Sequence, residues 1–173
     1  MLPALTTLHL FAALLAVAGF WAIRFELKGN PVPLWRFFVP ALAILLCSLT
    51  LLGGLSSRGR GLLLVALILG VASGSVRAGW LLMRADHASK LVRLSRVRDG
   101  VWVAFAAVVF ALIDVGVAFR VSEGAAPSPI FAAAVALCAG YLTGRAIVIA
   151  SRSRSAQHRD MGSKRDGSRR DSA

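Results

Sequence analysis

The sequence predicts an all-α, polytopic membrane protein with five transmembrane helices. Hydrophobic residues make up 57% of the 173 residues, whereas ordinary soluble domains contain about 45–50%. These residues are concentrated in five long apolar runs, and most charged residues lie between the runs. A helix of about 20 residues spans the roughly 30 Å hydrocarbon core of a bilayer. One soluble core could not bury so much apolar surface, so we expect a membrane to cover it.

The five predicted helices are separated by connections that contain helix-breaking or charged residues. The helices are predicted at 5–23, 37–55, 61–83, 101–119 and 130–150, which together form one transmembrane bundle within residues 1–150. Pro31 and Pro33 interrupt the chain after the first helix, and Pro127 does so after the fourth, because proline lacks the amide hydrogen that a helix requires. The segment 56–61, SSRGRG, predicts a short turn, so the second and third helices should be antiparallel neighbours.

The N-terminal segment is predicted to form a transmembrane helix, and the C-terminal segment a disordered tail. No Lys or Arg precedes the first apolar run, whereas a secretory signal peptide normally begins with a positively charged segment. We therefore interpret that run as a retained transmembrane helix. Residues 151–173 contain almost no apolar side chains and cannot bury enough surface to offset the entropy lost on folding. They are predicted to form a disordered, basic cytoplasmic tail.

The distribution of Lys and Arg predicts the orientation of the helices. The basic loop, residues 84–100, carries Arg84, Lys90, Arg93, Arg96 and Arg98. With the N-terminus outside, 15 of the 20 Lys and Arg residues lie on the cytoplasmic side, and Arg58, Arg60 and Arg120 lie in the outer turns. Because Lys and Arg near a spanning helix are kept in the cytoplasm, we predict an N-out, C-in topology.

The positive charge of the chain is expected to serve the membrane and not nucleic acid. The formal net charge is +12, which in a soluble protein would suggest nucleic-acid binding. Here the basic residues flank the apolar runs. The expected partners are therefore membrane lipids, whose anionic head groups would meet the basic loop and the tail. No nucleic-acid partner is predicted.

The sequence contains no signature of a catalytic, metal or cofactor site. It has no P-loop, no HExxH and no CxxC motif. Cys47 and Cys138 lie singly in separate apolar runs, where a cysteine usually acts as a small hydrophobic residue; an electron-relay pair is the alternative. We expect no catalytic residue, metal or cofactor, and an enzyme is the least favoured of the functional interpretations.

Glycines at four-residue spacing predict close helix packing. Gly70 and Gly74 share a face of the third helix, and Gly140 and Gly144 share a face of the fifth. Small side chains let helix backbones approach closely, which favours helix association in lipid. We interpret both faces as intramolecular contacts, with a homo-oligomer interface as the alternative. The 70-residue offset between the pairs also suggests a parallel internal repeat, as in some transporters.

Asp114 is the only acidic residue inside a predicted helix, and an intramembrane carboxylate usually faces protein or water. Counted from the ends of their helices, His9 and Thr50 fall at a similar depth, in the outer third of the membrane. An Asp–His pair there could relay a proton, or the carboxylate could serve as a structural hydrogen-bonding group. We favour the structural interpretation and keep a proton or cation site as the alternative.

Two arginines lie near the predicted cytoplasmic ends of the third and fifth helices. Arg77 shares the face of Gly70 and Gly74, which directs it toward packed protein, where it could pair with an anionic head group or ligand. The alternative is that its side chain extends along the helix to the membrane surface. Arg145 is turned away from the glycine face and lies close to the helix end, so we expect it to extend to the surface.

Several short motifs resemble the CcdC-like family of small bacterial membrane proteins. They are Pro31-Val32-Pro33 with Arg36 and Pro40, Gly70-x3-Gly74 before a basic segment, Arg98-Asp99-Gly100-Val101-Trp102, and Gly140-x3-Gly144-Arg145. The resemblance covers residues 31–152. It implies a helical protein of the bacterial inner membrane without an established activity or catalytic residues, and no functional residue is carried over.

Two functions from different classes follow as hypotheses. The first is a non-enzymatic accessory or scaffold protein of a bacterial membrane complex, multi-pass in the cytoplasmic membrane, that uses the glycine faces to contact a membrane protein partner or a second copy. The second is a small transporter or proton-coupled permease with Asp114, together with His9, in its pathway.

Overall fold

The computed structural model describes residues 7–28, 31–81, 83–86, 91–94, 98–120 and 128–155. Among these residues the helices are α1 (Thr7–Ala22), α2 (Phe25–Lys28), α3 (Phe38–Leu52), α4 (Ser57–Gly79), α5 (Asp99–Arg120) and α6 (Pro129–Ser155). The strands are β1 (Val32–Pro33), β2 (Met83–Asp86) and β3 (Leu91–Leu94). A 3-10 turn, Leu34–Phe37, leads into α3.

Five helical stretches are long and apolar enough to cross a membrane. Within the described part of the chain they are Thr7–Leu27, Leu34–Leu52, Ser57–Gly79, Asp99–Ala118 and Pro129–Arg154. The first stretch joins α1 to α2, because the amides of Ile23 and Leu27 donate to the carbonyls of Gly19 and Arg24. By length and composition, the predicted all-α fold with five membrane-spanning helices is confirmed.

Four of the long helices form a ring, and α4 packs on its outside. α1 contacts α3 and α5, and both of these contact α6, which closes the ring. α4 packs chiefly against α6, so α6 is the most buried of the five. Alanines such as Ala104, Ala107, Ala136 and Ala139 are fully buried in the interior, where small side chains allow the helices to approach closely.

Glycines make the contact between α4 and α6 possible. A methyl group on Gly70 would collide with the backbone of Leu137 in α6, and one on Gly74, Gly140 or Gly144 would collide with the backbone of the facing helix in the same way. The structure thus puts all four glycines at one intramolecular contact. Gly70 meets Leu137, and Gly74, one turn later in α4, meets Tyr141, one turn later in α6. The two helices therefore run parallel.

α4 begins at Ser57 and not at residue 61 as predicted. The hydroxyl of Ser56 accepts a hydrogen bond from the amide of Gly59 at 3.4 Å, which satisfies one of the free amides at the start of the helix. The predicted turn at 56–61 is therefore wrong, and residues 53–56 join α3 to α4 instead. The two helices contact each other only slightly, because α4 packs against α6.

α6 continues past its predicted end at residue 150 to Ser155. Nη1 of Arg152 lies 2.8 Å from the carbonyl oxygens of Ala78 and Gly79 at the end of α4. Carbonyls at a helix C-terminus lack intrahelical partners and carry partial negative charge, so an arginine stabilises them. The prediction of a disordered tail from residue 151 is therefore wrong for residues 151–155, and 156–173 lie outside the described residues.

A small antiparallel sheet closes one end of the bundle, where the sequence predicted only loops. Its strand order is β1-β3-β2, and β1 pairs Val32 with Val92 of β3. These two valines are buried in a cluster with Phe37, Ala78 and Ile149. Part of the basic loop therefore forms two antiparallel strands at this end of the helices, while its positions 87–90 and 95–97 lie outside the described residues. We call this end of the bundle the sheet end and the other the opposite end.

The glycine contact predicts different outcomes for two Gly→Ala substitutions. Gly140→Ala should lower the Tm in detergent micelles, because its methyl group would meet the carbonyl of Leu67 in α4. Gly116→Ala in α5 should leave the Tm unchanged or raise it, because no atom lies within 4 Å of the added methyl group and alanine is favoured over glycine in helices by about 1 kcal/mol. Equal effects of the two substitutions would contradict the close contact.

Candidate functional site

Five polar or charged side chains meet at the sheet end of the bundle. They are Glu26 of α2, Arg77 of α4, Asp99 of α5, and Tyr141 and Arg145 of α6, and we call them the sheet-end cluster. Tyr141 and Arg145 are one helical turn apart, so they share a face of α6. The cluster therefore connects four helices through side chains that are far apart in the sequence.

Arg145 and Glu26 form a buried ion pair. Nη1 of Arg145 lies 2.6 Å from Oε1 of Glu26, and the two side chains are only 3% and 4% exposed. Removing a charge from water is costly unless a partner binds it closely. The pair therefore holds α2 and α6 in fixed positions, since a shift of either helix would leave a buried charge unpaired.

Asp99 connects this pair to α4. Its Oδ1 lies 3.5 Å from Nη2 of Arg145. Its Oδ2 accepts hydrogen bonds from Nε of Arg77 at 3.2 Å and from the hydroxyl of Tyr141 at 3.0 Å. Asp99 is also in the first turn of α5, where the helix dipole favours a negative charge. Two carboxylates thus face two guanidinium groups, which makes the cluster formally neutral.

Gly100 provides the space for the ion pair. A methyl group at this position would collide with Nη1 of Arg145 and would lie 2.8 Å from Oε2 of Glu26. The amide of Gly100 donates a hydrogen bond to Oδ1 of Asp99 at 2.9 Å. The Asp99-Gly100 sequence at the start of α5 therefore supplies a carboxylate and leaves room for the arginine.

The space beside the ion pair is too small for an organic ligand. A cavity of about 10 Å³ is lined by Arg145 and Glu26 together with Ile23, Phe37 and Ile149. This volume holds about one water molecule. Oε2 of Glu26 and Nε of Arg145 have no hydrogen-bond partner among the described residues, so a buried water is the ligand that this space suits. The cluster connects four helices, and the cavity beside it has room for about one water molecule.

A second buried polar pair lies at the opposite end of the bundle. Nε2 of His9 in α1 is 3.7 Å from Oδ2 of Asp114 in α5, and the side chains are 1% and 3% exposed. Oδ1 of Asp114 accepts a hydrogen bond from the amide of Ser128 at 2.9 Å. This amide immediately precedes α6, where the first amides of the helix lack intrahelical partners. Asp114 therefore connects α1, α5 and α6.

Thr50 forms a hydrogen bond within its own helix. Its hydroxyl donates to the carbonyl of Cys47 at 2.7 Å. Of the three residues predicted at one depth, the structure thus brings His9 and Asp114 together, while Thr50 bonds to the backbone of α3. Cys47 and Cys138 are both free and buried.

The environments of Arg145 and Arg77 differ from those that the sequence predicted. Arg145 was expected to extend to the membrane surface, and this prediction is wrong because its side chain is 3% exposed and bound to Glu26. It is enclosed because α6 packs against α3, α4 and α5. Arg77 does have an anionic partner, but that partner is Asp99 of the same chain, and the Arg77 side chain is still 48% exposed.

Sequence reasoning missed three members of the sheet-end cluster. Glu26 and Asp99 were assigned to connections, because each predicted helix was ended or begun beside a charged residue, and Tyr141 was not considered. One signal was available: a buried arginine requires a nearby carboxylate, and the chain has only eight Asp and Glu residues. Glu26, Asp86 and Asp99 are the ones in the connections at the same predicted membrane boundary as Arg145.

Comparisons with known proteins give no further assignment. No family model matches the chain, and no curated protein or solved structure matches it. The resemblance to the CcdC-like family therefore stays a prediction. Within the described ranges, no group of three His, Cys, Asp or Glu side chains is placed to hold a metal ion. Function must accordingly be argued from the geometry of the chain's own residues.

The buried ion pair predicts non-additive effects of two substitutions. Arg145→Met and Glu26→Met should each lower the free energy of unfolding by about 3–5 kcal/mol, because the first leaves the buried Glu26 without its partner and the second leaves Arg145 with only the longer, 3.5 Å contact to Asp99. The double variant should be more stable than either single variant, because it removes both charges. Equilibrium unfolding of the four proteins in detergent micelles measures this coupling.

Arg77→Met provides the control for this cycle. Arg77 also pairs with a carboxylate, but its side chain is about half exposed, so its loss should lower the free energy of unfolding by less than about 1 kcal/mol. A double variant as unstable as the sum of the two single variants would show that Arg145 and Glu26 do not interact.

Proposed function

We propose that the chain is a non-enzymatic accessory or scaffold protein of a bacterial membrane complex. The observation that carries this proposal is that the buried charged groups of the described bundle are bound to one another. Arg145 is paired with Glu26, and Asp114 lies beside His9. Groups engaged in this way hold helices in position, and they leave the outer apolar surface for contact with a partner.

The outer face of α4 is the surface best suited to a partner helix. α4 stands outside the ring of the other helices and packs chiefly on α6. On its other side Leu64, Val65, Ile68 and Val76 are 53–66% exposed. The glycine faces, which the first function hypothesis assigned to partner contact, are occupied within the chain, so the proposed contact moves to this outer face. An apolar helix face of this kind accepts another membrane helix by close packing.

We propose that the sheet end faces the cytoplasm, which gives the N-out, C-in topology. The uneven distribution of Lys and Arg supports this orientation, because the basic loop lies at the sheet end, whereas Arg58 and Arg60 at the start of α4 and Arg120 at the end of α5 are the Lys and Arg residues near the opposite end. The bacterial cytoplasmic membrane is proposed from the resemblance to the CcdC-like family.

The scaffold function predicts a defined assembly that depends on α4. In mild detergent the tagged chain should run as a defined oligomer or with a partner at fixed stoichiometry. Ile68→Trp should reduce the assembled fraction, because a bulky ring at the centre of the outer face prevents close helix approach. Leu14→Trp is the control, since Leu14 of α1 is 68% exposed and Ile68 is 66% exposed. Size-exclusion chromatography with light scattering measures the assembled mass.

Two outcomes would contradict this proposal. A monomer without a partner for the unsubstituted protein would argue against a scaffold function. An equal loss of assembly in the Ile68→Trp and Leu14→Trp variants would argue against the outer face of α4 as the contact surface.

A proton-coupled permease is the second candidate, because His9 and Asp114 lie 3.7 Å apart inside the bundle. A histidine beside a buried carboxylate is an arrangement that can relay protons. Asp114 also accepts the hydrogen bond from Ser128, which gives the same carboxylate a structural task. A permease function would require Asp114 to take up and release protons, whereas a scaffold function would require only the hydrogen bond that it accepts from Ser128.

Asp114→Asn distinguishes the two functions. Asparagine keeps an oxygen that can accept the hydrogen bond from Ser128, but its amide cannot carry a proton between partners. We expect this variant to keep its Tm and its assembled mass, and Asp114→Leu to lose about 1–3 kcal/mol of unfolding free energy, because it leaves the Ser128 amide without its acceptor. Proton uptake by liposomes containing the unsubstituted protein, abolished in Asp114→Asn, would favour the permease instead.

A further inference from the structure

A groove opens at the sheet end between the α1–α2 stretch and the start of α3. Its volume is about 900 Å³, which lies within the usual range of small-molecule sites, about 300–1,000 Å³. Two arginines, two tryptophans and several apolar side chains line it, among them Arg24, Arg36, Trp21, Trp35 and Val39. The groove is distinct from the sheet-end cluster, whose cavity is far smaller.

The positive charge of this groove is not neutralised by the described part of the chain. Arg24 and Arg36 are exposed, and neither forms an ion pair with a described carboxylate. The nearest carboxylate in the sequence, Glu26, is directed into the bundle and bound to Arg145. Two cationic side chains therefore face the same open space, and a ligand for them must be anionic.

The two walls of the groove have the same order of side chains. On one wall Trp21 lies about one helical turn farther from the sheet end than Arg24. On the other wall Val39 lies about one turn farther from the sheet end than Arg36. Apolar surface thus lies deeper and guanidinium groups lie nearer the sheet end. This order matches that of a phospholipid, in which acyl chains lie below a charged phosphate.

The tryptophans put the groove at the level of the head groups. Trp21 and Trp35 are 70% and 61% exposed, and each lies near the sheet end of a membrane-spanning stretch. Tryptophan is enriched at membrane interfaces because its ring is largely apolar and its N–H needs a polar partner. The guanidinium of Arg36 lies 5.8 Å from the ring centroid of Trp35, a cation–π contact that holds the arginine beside the groove.

We propose that this groove binds an anionic phospholipid, with the phosphate between Arg24 and Arg36 and the upper acyl chain against Trp21 and Val39. Guanidinium groups bind phosphate oxygens through charge-assisted hydrogen bonds, and basic pockets between membrane helices are suited to lipid head groups. The site differs from Arg77, which was a candidate contact for a head group or ligand and is bound to Asp99. It lies away from the outer face of α4 and stands independently of the scaffold function.

Lipid titrations of the detergent-solubilised full chain, followed by native mass spectrometry, test the site. The unsubstituted protein should bind phosphatidylglycerol more tightly than phosphatidylcholine. Arg24→Gln/Arg36→Gln should weaken phosphatidylglycerol binding about thirty-fold, or about 2 kcal/mol, since each arginine near an anionic lipid surface contributes about half of this. Arg58→Gln/Arg120→Gln removes the same charge at the opposite end and should change the affinity less than about two-fold.

Equal weakening in the two double variants would overturn the proposal, because it would show general attraction to the protein's positive charge. Glycerol phosphate, which has the phosphate without acyl chains, should not displace the lipid; displacement at equal concentration would show a site for a free phosphate ester. Arg24→Lys/Arg36→Lys keeps both charges and should retain most of the binding, which separates loss of charge from loss of fold. Loss of binding in this lysine variant at an unchanged Tm would overturn a site based on charge.

Discussion

The requirement that a buried charge have a partner organises the sheet end of this protein. α6 is the most enclosed helix, and the guanidinium of Arg145 on it is almost completely shielded from bulk solvent. The cost of this burial is offset only if a carboxylate comes to the arginine. α2 accordingly continues the first spanning stretch far enough to deliver Glu26, and α5 begins with Asp99 followed by a glycine that leaves room for the side chain.

α6 is held at three levels by three different interactions. At the opposite end the carboxylate of Asp114 binds the amide of Ser128 before the first turn, and in the middle the glycines of α4 and α6 bring the two backbones together. At the sheet end Glu26 binds Arg145. These contacts occupy the buried polar groups and the glycine faces of the bundle, so the contact surface that we propose for a partner is the outer side of α4. The proposed scaffold function follows from this distribution.

Features that depend on local sequence were predictable, and features that depend on packing between distant segments were not. The five spanning stretches follow from hydrophobicity and length alone. His9 and Asp114 could be placed at one depth because a helix has a constant rise per residue. The environment of Arg145 could not be predicted in this way, because the burial of its side of α6 depends on which other helices pack against it. The sheet was missed for a similar reason: β1 lies 58 residues from its partner β3 and has only two residues of its own.

A buried arginine requires a carboxylate within the chain, whereas an exposed arginine can do without one. The sequence has 20 Lys and Arg residues but only eight Asp and Glu, so most cations must do without an internal partner. Arg145 is enclosed by helices and takes Glu26, although Arg24 is closer to this carboxylate in the sequence. Arg24 and Arg36 lie at the rim, where water and head groups can solvate them at little cost. Among the described residues, the buried carboxylates of Glu26 and Asp114 thus lie where desolvation is greatest. The guanidinium groups of Arg24 and Arg36 lie at the sheet end, the level at which we propose that the phosphate of an anionic lipid binds.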